Sequence, residues 1–480
     1  MSKITLDLNK PIGKISPLIY GHFIEHIGGV VYGGIWVGKN SKVPNINGFR
    51  LDIVNKLREI SPAVIRWPGG CFAEVYNWRD GVGQKRPIRP SWWTFKDGLY
   101  ENNEFGTHEF IDFCSLVGAE PYLAVNATSL TPMDARNWVD YCNSPVGTSD
   151  LALEREKNGS PEPFNVKFFG IGNENWGGGG TMTAMQYALE YRKYSCVLRN
   201  IAPEAKLVAA GANFHSDEWA RTFLSGMKEC YGTPPALDAI SLHYYFPGND
   251  DVDFSKEEWD FTIAGARKTE DYIKKLIKLI EDAELKNEVK LYIDEWGAMY
   301  GNGIGAKEKN QLYRQEATMR DAVVTALSLN IFNNYADRVE MANIAQLANC
   351  LSSLFLTDGD KCITTPIYHV FDMYKEHKAA TAVSIRCDDG EISASASITG
   401  SKITVTLANL SYSEDKKIML DIEKEVKSAE LTLLSADDPH DVNDFDAPDR
   451  IIPRKVDYIK NAPILLPKAS VIKLTLEVYK

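Results

Sequence analysis

Two glutamates, Glu174 and Glu295, each close an apolar, β-rich run: Val166-Lys167-Phe168-Phe169-Gly170-Ile171-Gly172-Asn173-Glu174 and Val289-Lys290-Leu291-Tyr292-Ile293-Asp294-Glu295-Trp296. A short run of this kind that ends in a polar residue and breaks into glycines reads as a barrel strand delivering a side chain to its C-terminal mouth. Two carboxylates delivered there are the minimum equipment for cleaving a glycosidic bond. Asn173 sharpens the first, because its amide could hydrogen-bond a sugar hydroxyl beside the reacting carbon. The competing reading is a pair of surface acids at loop starts. The apolar run before each glutamate, and the tryptophan just after (Trp176, Trp296), argue for a shared site instead.

Other chemistry-bearing residues fall at equivalent places. Glu25 and Arg66 end apolar runs of their own, and an arginine beside a carboxylate keeps it ionised, which suits a nucleophile. His243 and Tyr245 end another run, where a tyrosine hydroxyl could hydrogen-bond the nucleophile. Trp67, Trp78, Trp92, Trp93, Trp176 and Trp296 are candidate apolar platforms for sugar rings, with ordinary packing as the alternative. A metal site drawing on His22, Glu25, His26 and His243 lacks any HExxH or two-histidine-one-carboxylate spacing. A serine nucleophile lacks a GxSxG elbow. No metal and no cofactor are expected.

The elements that would position these residues alternate. Strand-like runs centre near residues 18, 64, 123, 168, 207, 240, 292 and 331, with helix-like stretches over 48–60, 107–117, 183–201, 270–284 and 313–327 among them. Eight strands alternating with helices predict a closed parallel (β/α)8 TIM barrel, with a doubly wound open sheet as the alternative. On this count Glu174 ends strand four and Glu295 strand seven, across the barrel mouth from each other. The first strand is expected over 16–25 and the eighth over 330–334. Beyond about 380 the pattern turns to period two, as in 401–410, 429–434 and 470–478, separated by turn-rich acidic stretches such as 436–449. Short serial strands predict an all-β sandwich, jelly-roll-like. Residues 1–15 also read as strand. The expected division is therefore a barrel over 16–378 and a sandwich built from 1–15 plus 379–480.

The chain has 480 residues, enough for a large barrel and a smaller companion, and a formal net charge of −12. That charge argues against nucleic acid or an anionic membrane surface as partner. No apolar run is long enough for a membrane span and no signal-peptide core is visible, which favours the cytoplasm. The eight cysteines (71, 114, 142, 196, 230, 350, 362, 387) include no CxxC pair and read as buried reduced thiols.

In its motifs the chain resembles the α-L-arabinofuranosidases of glycoside hydrolase family fifty-one, essentially end to end. The resemblance rests on Gly21-His22-Phe23-Ile24-Glu25-His26, Arg66-Trp67-Pro68-Gly69-Gly70, Tyr76-Asn77-Trp78-Arg79-Asp80-Gly81, Gly172-Asn173-Glu174, Ser241-Leu242-His243, Asp294-Glu295-Trp296, Asn343-Ile344-Ala345-Gln346-Leu347 and Asn443-Asp444-Phe445. It implies a retaining exo-hydrolase of terminal α-L-arabinofuranosyl groups on arabinoxylan or arabinan oligosaccharides, and a homo-oligomer. Glu174 would be the acid/base and Glu295 the nucleophile. Asn173 would bind the 2-hydroxyl, Arg66 and Tyr245 would position Glu295, and Glu25 and Gln346 would contact the furanose. Two positions depart from the family pattern. Cys71 stands where many members carry asparagine, and Asn175-Trp176 followed by four glycines stands where many have Met-Asp-Gly. Alternatives are another exo-furanosidase or a β-glycan hydrolase on the same scaffold, a carbohydrate-binding pseudoenzyme, or a metal-dependent barrel isomerase.

Overall fold

The computed structural model describes residues 1–97, 100–211, 216–228, 232–285, 288–304 and 311–479. Eight parallel strands close a barrel: β2 (Gly21–Phe23), β3 (Val64–Trp67), β4 (Glu120–Val125), β5 (Phe168–Ile171), β6 (Lys206–Ala209), β7 (Ala239–Gly248), β8 (Lys290–Tyr300) and β9 (Val339–Ala345). The ring closes where Phe23 of β2 pairs with both Arg66 of β3 and Ala345 of β9. The helices that follow the strands in turn are α1 (Leu51–Ile60), α2 (Thr107–Val117), α3 (Pro132–Asn143), α4 (Ala184–Ile201), α5 (Asp217–Lys228), α6 (Lys256–Ala283), α7 (Met319–Asn334) and α8 (Pro366–Tyr374). Their starts are written locally. Thr131, Thr183, Ser255 and Thr318 each cap a helix in a reciprocal box with Asp134, Gln186, Glu258 and Asp321. Inside the barrel Val64, Tyr122, Phe168, Val208, Ala239, Tyr292 and Met341, one from each of seven strands, pack into one apolar layer. The bore is thus filled below, and functional side chains are left to the C-terminal mouth.

The second unit is a nine-stranded sheet. It joins β1 (Ser2–Lys14) to β10 (Thr381–Cys387), β11 (Ile392–Thr399), β12 (Lys402–Asn409), β13 (Lys416–Ile422), β14 (Val426–Leu434), β15 (Arg454–Val456), β16 (Ile464–Leu466) and β17 (Ser470–Val478). Residues from opposite ends of the sheet order, such as Leu431 and Ile464, share one core with Ile4, Val405 and Leu474, so the sheet curls over as a sandwich. β1 lies between β10 and β13, pairing antiparallel with one and parallel with the other.

The structure corrects three readings of the sequence. The eighth strand is Val339–Ala345, whereas 330–334 forms the end of α7. That helix is buried on every side, so no amphipathic stripe marks its continuation past 327, where the expected helix stopped. Its asparagines face the sandwich. Asn330 Oδ1 accepts from Ser395, Thr406 and Tyr374 (2.9, 2.9 and 3.0 Å), and Asn333 Nδ2 donates to Ser395 (3.1 Å). The helix expected over 313–327 likewise starts later, at the Thr318 cap. Within 16–25, Pro17–Tyr20 is a 3-10 turn capped by Ser16, and only Gly21–Phe23 is strand. Among the described residues no helix is long and apolar enough to cross a membrane. Of the cysteines, Cys114, Cys142 and Cys350 are buried. Cys71, Cys362 and Cys387 are half-buried, Cys196 is exposed, and Cys230 lies outside the described residues.

Candidate active site

Glu295 and its neighbour Asp294 both face the barrel mouth, although strict strand alternation would turn one of them outward. The register explains it. β8 carries an extra residue against β7, with Ser241 opposite Tyr292 but His243 opposite Glu295, and it shifts against β9 between Ile293 and Trp296. A bulge of this kind re-aims consecutive side chains. Glu295 Oε1 then accepts from the Tyr245 hydroxyl (2.7 Å) and Oε2 from Arg66 Nη1 (3.1 Å). Asp294 accepts from Tyr122 (2.7 Å) and lies 3.6 Å from Arg66 Nε.

Glu174 arrives on the turn after β5. Its backbone is left-handed, φ 43°, a conformation that a side chain other than glycine holds only when its surroundings enforce it. Here its carbonyl accepts from the amides of Gly177 and Gly179 (2.7 and 3.1 Å). A Cβ on Gly179 would lie 1.7 Å from the Asn173 carbonyl, so only glycine permits this approach. Asn173 is held at both ends. Its Oδ1 accepts from Arg66 Nη2 (2.6 Å) and its amide N–H donates to Glu74 (2.6 Å), while its buried Nδ2 has no partner.

His243 joins the two glutamates. Its Nδ1 is 3.0 Å from Glu174 and 3.4 Å from Glu295, and its Nε2 is 3.1 Å from Asp294. Burial by itself would lower its pKa, but the carboxylates of Glu295, Asp294 and Glu174 push it up to about 10. Asp294 would be raised by burial, yet Arg66 and His243 hold it below the usual carboxylate range. Arg66 and the cationic His243 thus balance the acids. Glu174, His243 and Glu295 offer donor atoms that all lie within 4.8 Å of one another. As neutral imidazole and two carboxylates this donor set could hold a divalent cation. In the structure both ring nitrogens instead face carboxylate oxygens, the geometry of a protonated histidine.

A cavity of about 350 Å³ opens on these groups. Glu25, Cys71, Trp93, Trp176, Tyr245 and Gln346 line it, with Ile27, Met299, Tyr313 and Leu351 as an apolar wall. Glu25 accepts from the Phe72 amide (3.0 Å), Trp93 Nε1 (3.3 Å) and Gln346 Nε2 (3.3 Å). Burial first, and Glu295 second, raise its pKa to about 7. Gln346 Oε1 is buried without a partner. Burial, and then the surrounding acids, push the Cys71 thiol far up, so it presents a neutral S–H to the cavity. A Cβ on Gly178 would approach its sulfur to 2.9 Å, which brings the two departures from the family pattern together.

All ten candidate site residues therefore converge: eight line the cavity, and Arg66 and Asn173, hydrogen-bonded to each other, lie buried beneath it. Six other positions are not among the residues that line it: Trp92 is half-buried, Trp296 packs on Phe332 and Phe246, and the remaining four pair elsewhere. His22 packs on Phe371, and His26 pairs with Glu101 (2.6 Å). Trp67 donates to His26, and Trp78 stacks on Trp138. Sequence reasoning missed Asp294, Glu74 and Tyr122. Asp294 was visible beside Glu295, but a regular strand would have pointed only one of them inward. Glu74 and Tyr122 carried no local signal.

A mouth-facing glutamate pair on a (β/α)8 barrel, over a pocket the size of one sugar, points to the glycoside hydrolases. Comparison with known proteins carries this to a family. Residues 56–260 match the α-L-arabinofuranosidase 1 domain, and 294–470 match the α-L-arabinofuranosidase C-terminal domain. An intracellular exo-α-L-arabinofuranosidase of Bacteroides ovatus is 36% identical over 98% of this chain and 95% of its own. The crystal structure of the family fifty-one arabinofuranosidase of Xanthomonas axonopodis superposes with a TM-score of 0.91 at 32% identity, covering 99% of this chain and 100% of that one. An arabinose complex of the Thermotoga maritima α-L-arabinofuranosidase gives 0.88 at 28% identity, over 99% and 100%. The chain belongs to the α-L-arabinofuranosidases of glycoside hydrolase family fifty-one.

Proposed function

We propose that this protein releases terminal α-L-arabinofuranosyl groups from arabinoxylan or arabinan oligosaccharides by a retaining double displacement. The observation that carries this reading is the close pair of glutamates, with carboxylate oxygens of Glu174 and Glu295 within 4.8 Å of each other. Retaining glycosidases hold their two carboxyls about 5–5.5 Å apart, whereas inverting ones need a gap of roughly 6.5–9.5 Å for a water. Glu295, aimed by Arg66 and Tyr245, attacks the anomeric carbon as the glycosidic C–O bond breaks. Glu174 gives its proton to the departing oxygen. Water then attacks the glycosyl ester, Glu174 takes its proton, and Glu295 is regenerated. The unpartnered Asn173 Nδ2 is free to bind the 2-hydroxyl, and Glu25 with Gln346 Oε1 to receive other furanose hydroxyls. A pocket for about one sugar supports exo attack.

The test is hydrolysis of aryl α-L-arabinofuranoside, β-D-galactofuranoside, β-D-xyloside and β-D-glucoside, with product anomer followed by NMR. Arabinofuranoside turnover with retention, abolished in Glu295→Ala, is the expected result. Inversion refutes the mechanism. Preference for another glycoside moves the specificity to Cys71 and the 177–180 loop, and binding without turnover supports the pseudoenzyme reading. We place the enzyme in the cytoplasm as a homo-oligomer acting on imported oligosaccharides. The first part is supported by the intracellular exo-α-L-arabinofuranosidase of Bacteroides ovatus, and ultracentrifugation tests the second.

A further inference from the structure

Glu74 is a buried carboxylate that the mechanism above does not use. It lies on the 3-10 turn Cys71–Val75 that follows β3. Its Oε1 accepts from the backbone amide of Asn173 (2.6 Å) and from Asn175 Nδ2 (3.0 Å). Its Oε2 accepts from the amide of Ala127 (2.9 Å), just beyond β4, and its carbonyl accepts from Ser129 (2.8 Å). One side chain therefore ties together the loops that leave barrel strands two, three and four. The two residues it grips on the last of these, Asn173 and Asn175, flank Glu174. Asn175 Nδ2 also reaches the Gly179 carbonyl (2.7 Å), and Gly179 in turn holds the Glu174 carbonyl. The left-handed backbone at Glu174 has no glycine to relieve it, so these flanking clamps are what maintain it.

We propose that Glu74 is the positioning residue for the general acid: it holds the strained turn on which Glu174 reaches the leaving oxygen. This rests on the assignment of Glu174 as acid/base. A residue that only supports the fold would affect every substrate alike. One that acts through the general acid affects substrates in proportion to how much their leaving group needs a proton.

The experiment compares kcat/KM on 2,4-dinitrophenyl α-L-arabinofuranoside, whose leaving group departs unprotonated, with that on an arabinofuranosyl xylo-oligosaccharide, whose leaving group does not. Glu74→Gln keeps the volume but must turn its NH2 toward either the Asn173 and Asn175 donors or the Ala127 amide, which breaks the three-loop clamp in either orientation. A misplacement of this order is expected to lower the oligosaccharide value about 100-fold. The dinitrophenyl value should fall less than about five-fold, because acid assistance is absent there. Equal losses on both substrates, or no loss on either, overturn the proposal. If Glu74→Gln fails to fold, Glu74→Asp, one methylene shorter, is judged by the same ratio. Glu174→Ala run alongside separates the two ideas. Without this asymmetry in Glu174→Ala the acid/base assignment itself falls; with it there but not in the Glu74 variants, only the role of Glu74 falls.

Discussion

His243 offers the sharpest test of the site's electrostatics. It is 6% exposed and faces Glu174 from the β5 turn and Asp294 and Glu295 from β8, with Arg66 beyond them on β3 and Tyr245 on its own strand. Its pKa rises from 6.5 to about 10. That shift corresponds to about 5 kcal/mol favouring the cation over the neutral ring, from roughly 1.4 kcal/mol per unit. The folded value exceeds the unfolded one, so this stabilisation is fully present below pH 6.5 and is lost as pH rises through about 10. His243→Gln keeps a donor but cannot be charged. Urea unfolding of wild type and His243→Gln from pH 6 to pH 10 should show the difference between them shrinking with a slope near 1.4 kcal/mol per pH unit. Titrating groups away from the site, His440 among them, cancel in the difference. A gap that stays constant over this range, or an NMR titration of His243 near 6.5, would refute the reasoning.

Three further results are expected. Burial raises Glu25 to about 7 from 4.5, so wild type should lose stability relative to Glu25→Gln, by about 3 kcal/mol, as pH climbs through that window; unfolding curves at pH 4.5 and 7.5 measure it. Gly179→Ala sets a Cβ 1.7 Å from the Asn173 carbonyl and should lower kcat by about 100-fold with the barrel intact by circular dichroism. Asn330→Ala strips the shared acceptor from Ser395, Thr406 and Tyr374 between barrel and sandwich; the expected loss is about 2–3 kcal/mol by thermal melt, with kcat at 25 °C unchanged, and a loss below about 0.5 kcal/mol would show that those hydroxyls repartner.

Much of the site was legible because its chemistry sits where the apolar runs of barrel strands break into polar residues, although β7 and β8 continue past those breaks to Gly248 and Tyr300. A strand leaves a local trace, a short apolar run broken by polar residues and glycine, and Glu174, Glu295, Arg66, His243 and Tyr245 all lie at such breaks. The eighth strand was misplaced because α7 is surrounded by both units. A helix with no solvent face lacks the amphipathic period that would carry it past 327, and 330–334 read as a strand until the partners of Asn330 and Asn333 on the sandwich were known. Glu74 was invisible for a different reason. Its three N–H donors come from segments about 50 and 100 positions away, and no local pattern encodes a carboxylate that satisfies distant backbone.

The sequence by itself determined the alternation of strands and helices, the change to period-two β-structure after 380, and the identity of the two glutamates. These are properties of hydrophobic period and of residue type at strand ends, and both act locally. Tertiary structure alone decided how far apart the carboxylates stand and what charge surrounds them. The bulge in β8 turns Asp294 inward beside Glu295. That second acid and the closing of the barrel make His243 a cation between three carboxylates and leave Asn173 Nδ2 buried without a partner beneath the pocket. Distance and desolvation set these energies, and both come into being only when segments far apart in the chain are packed together.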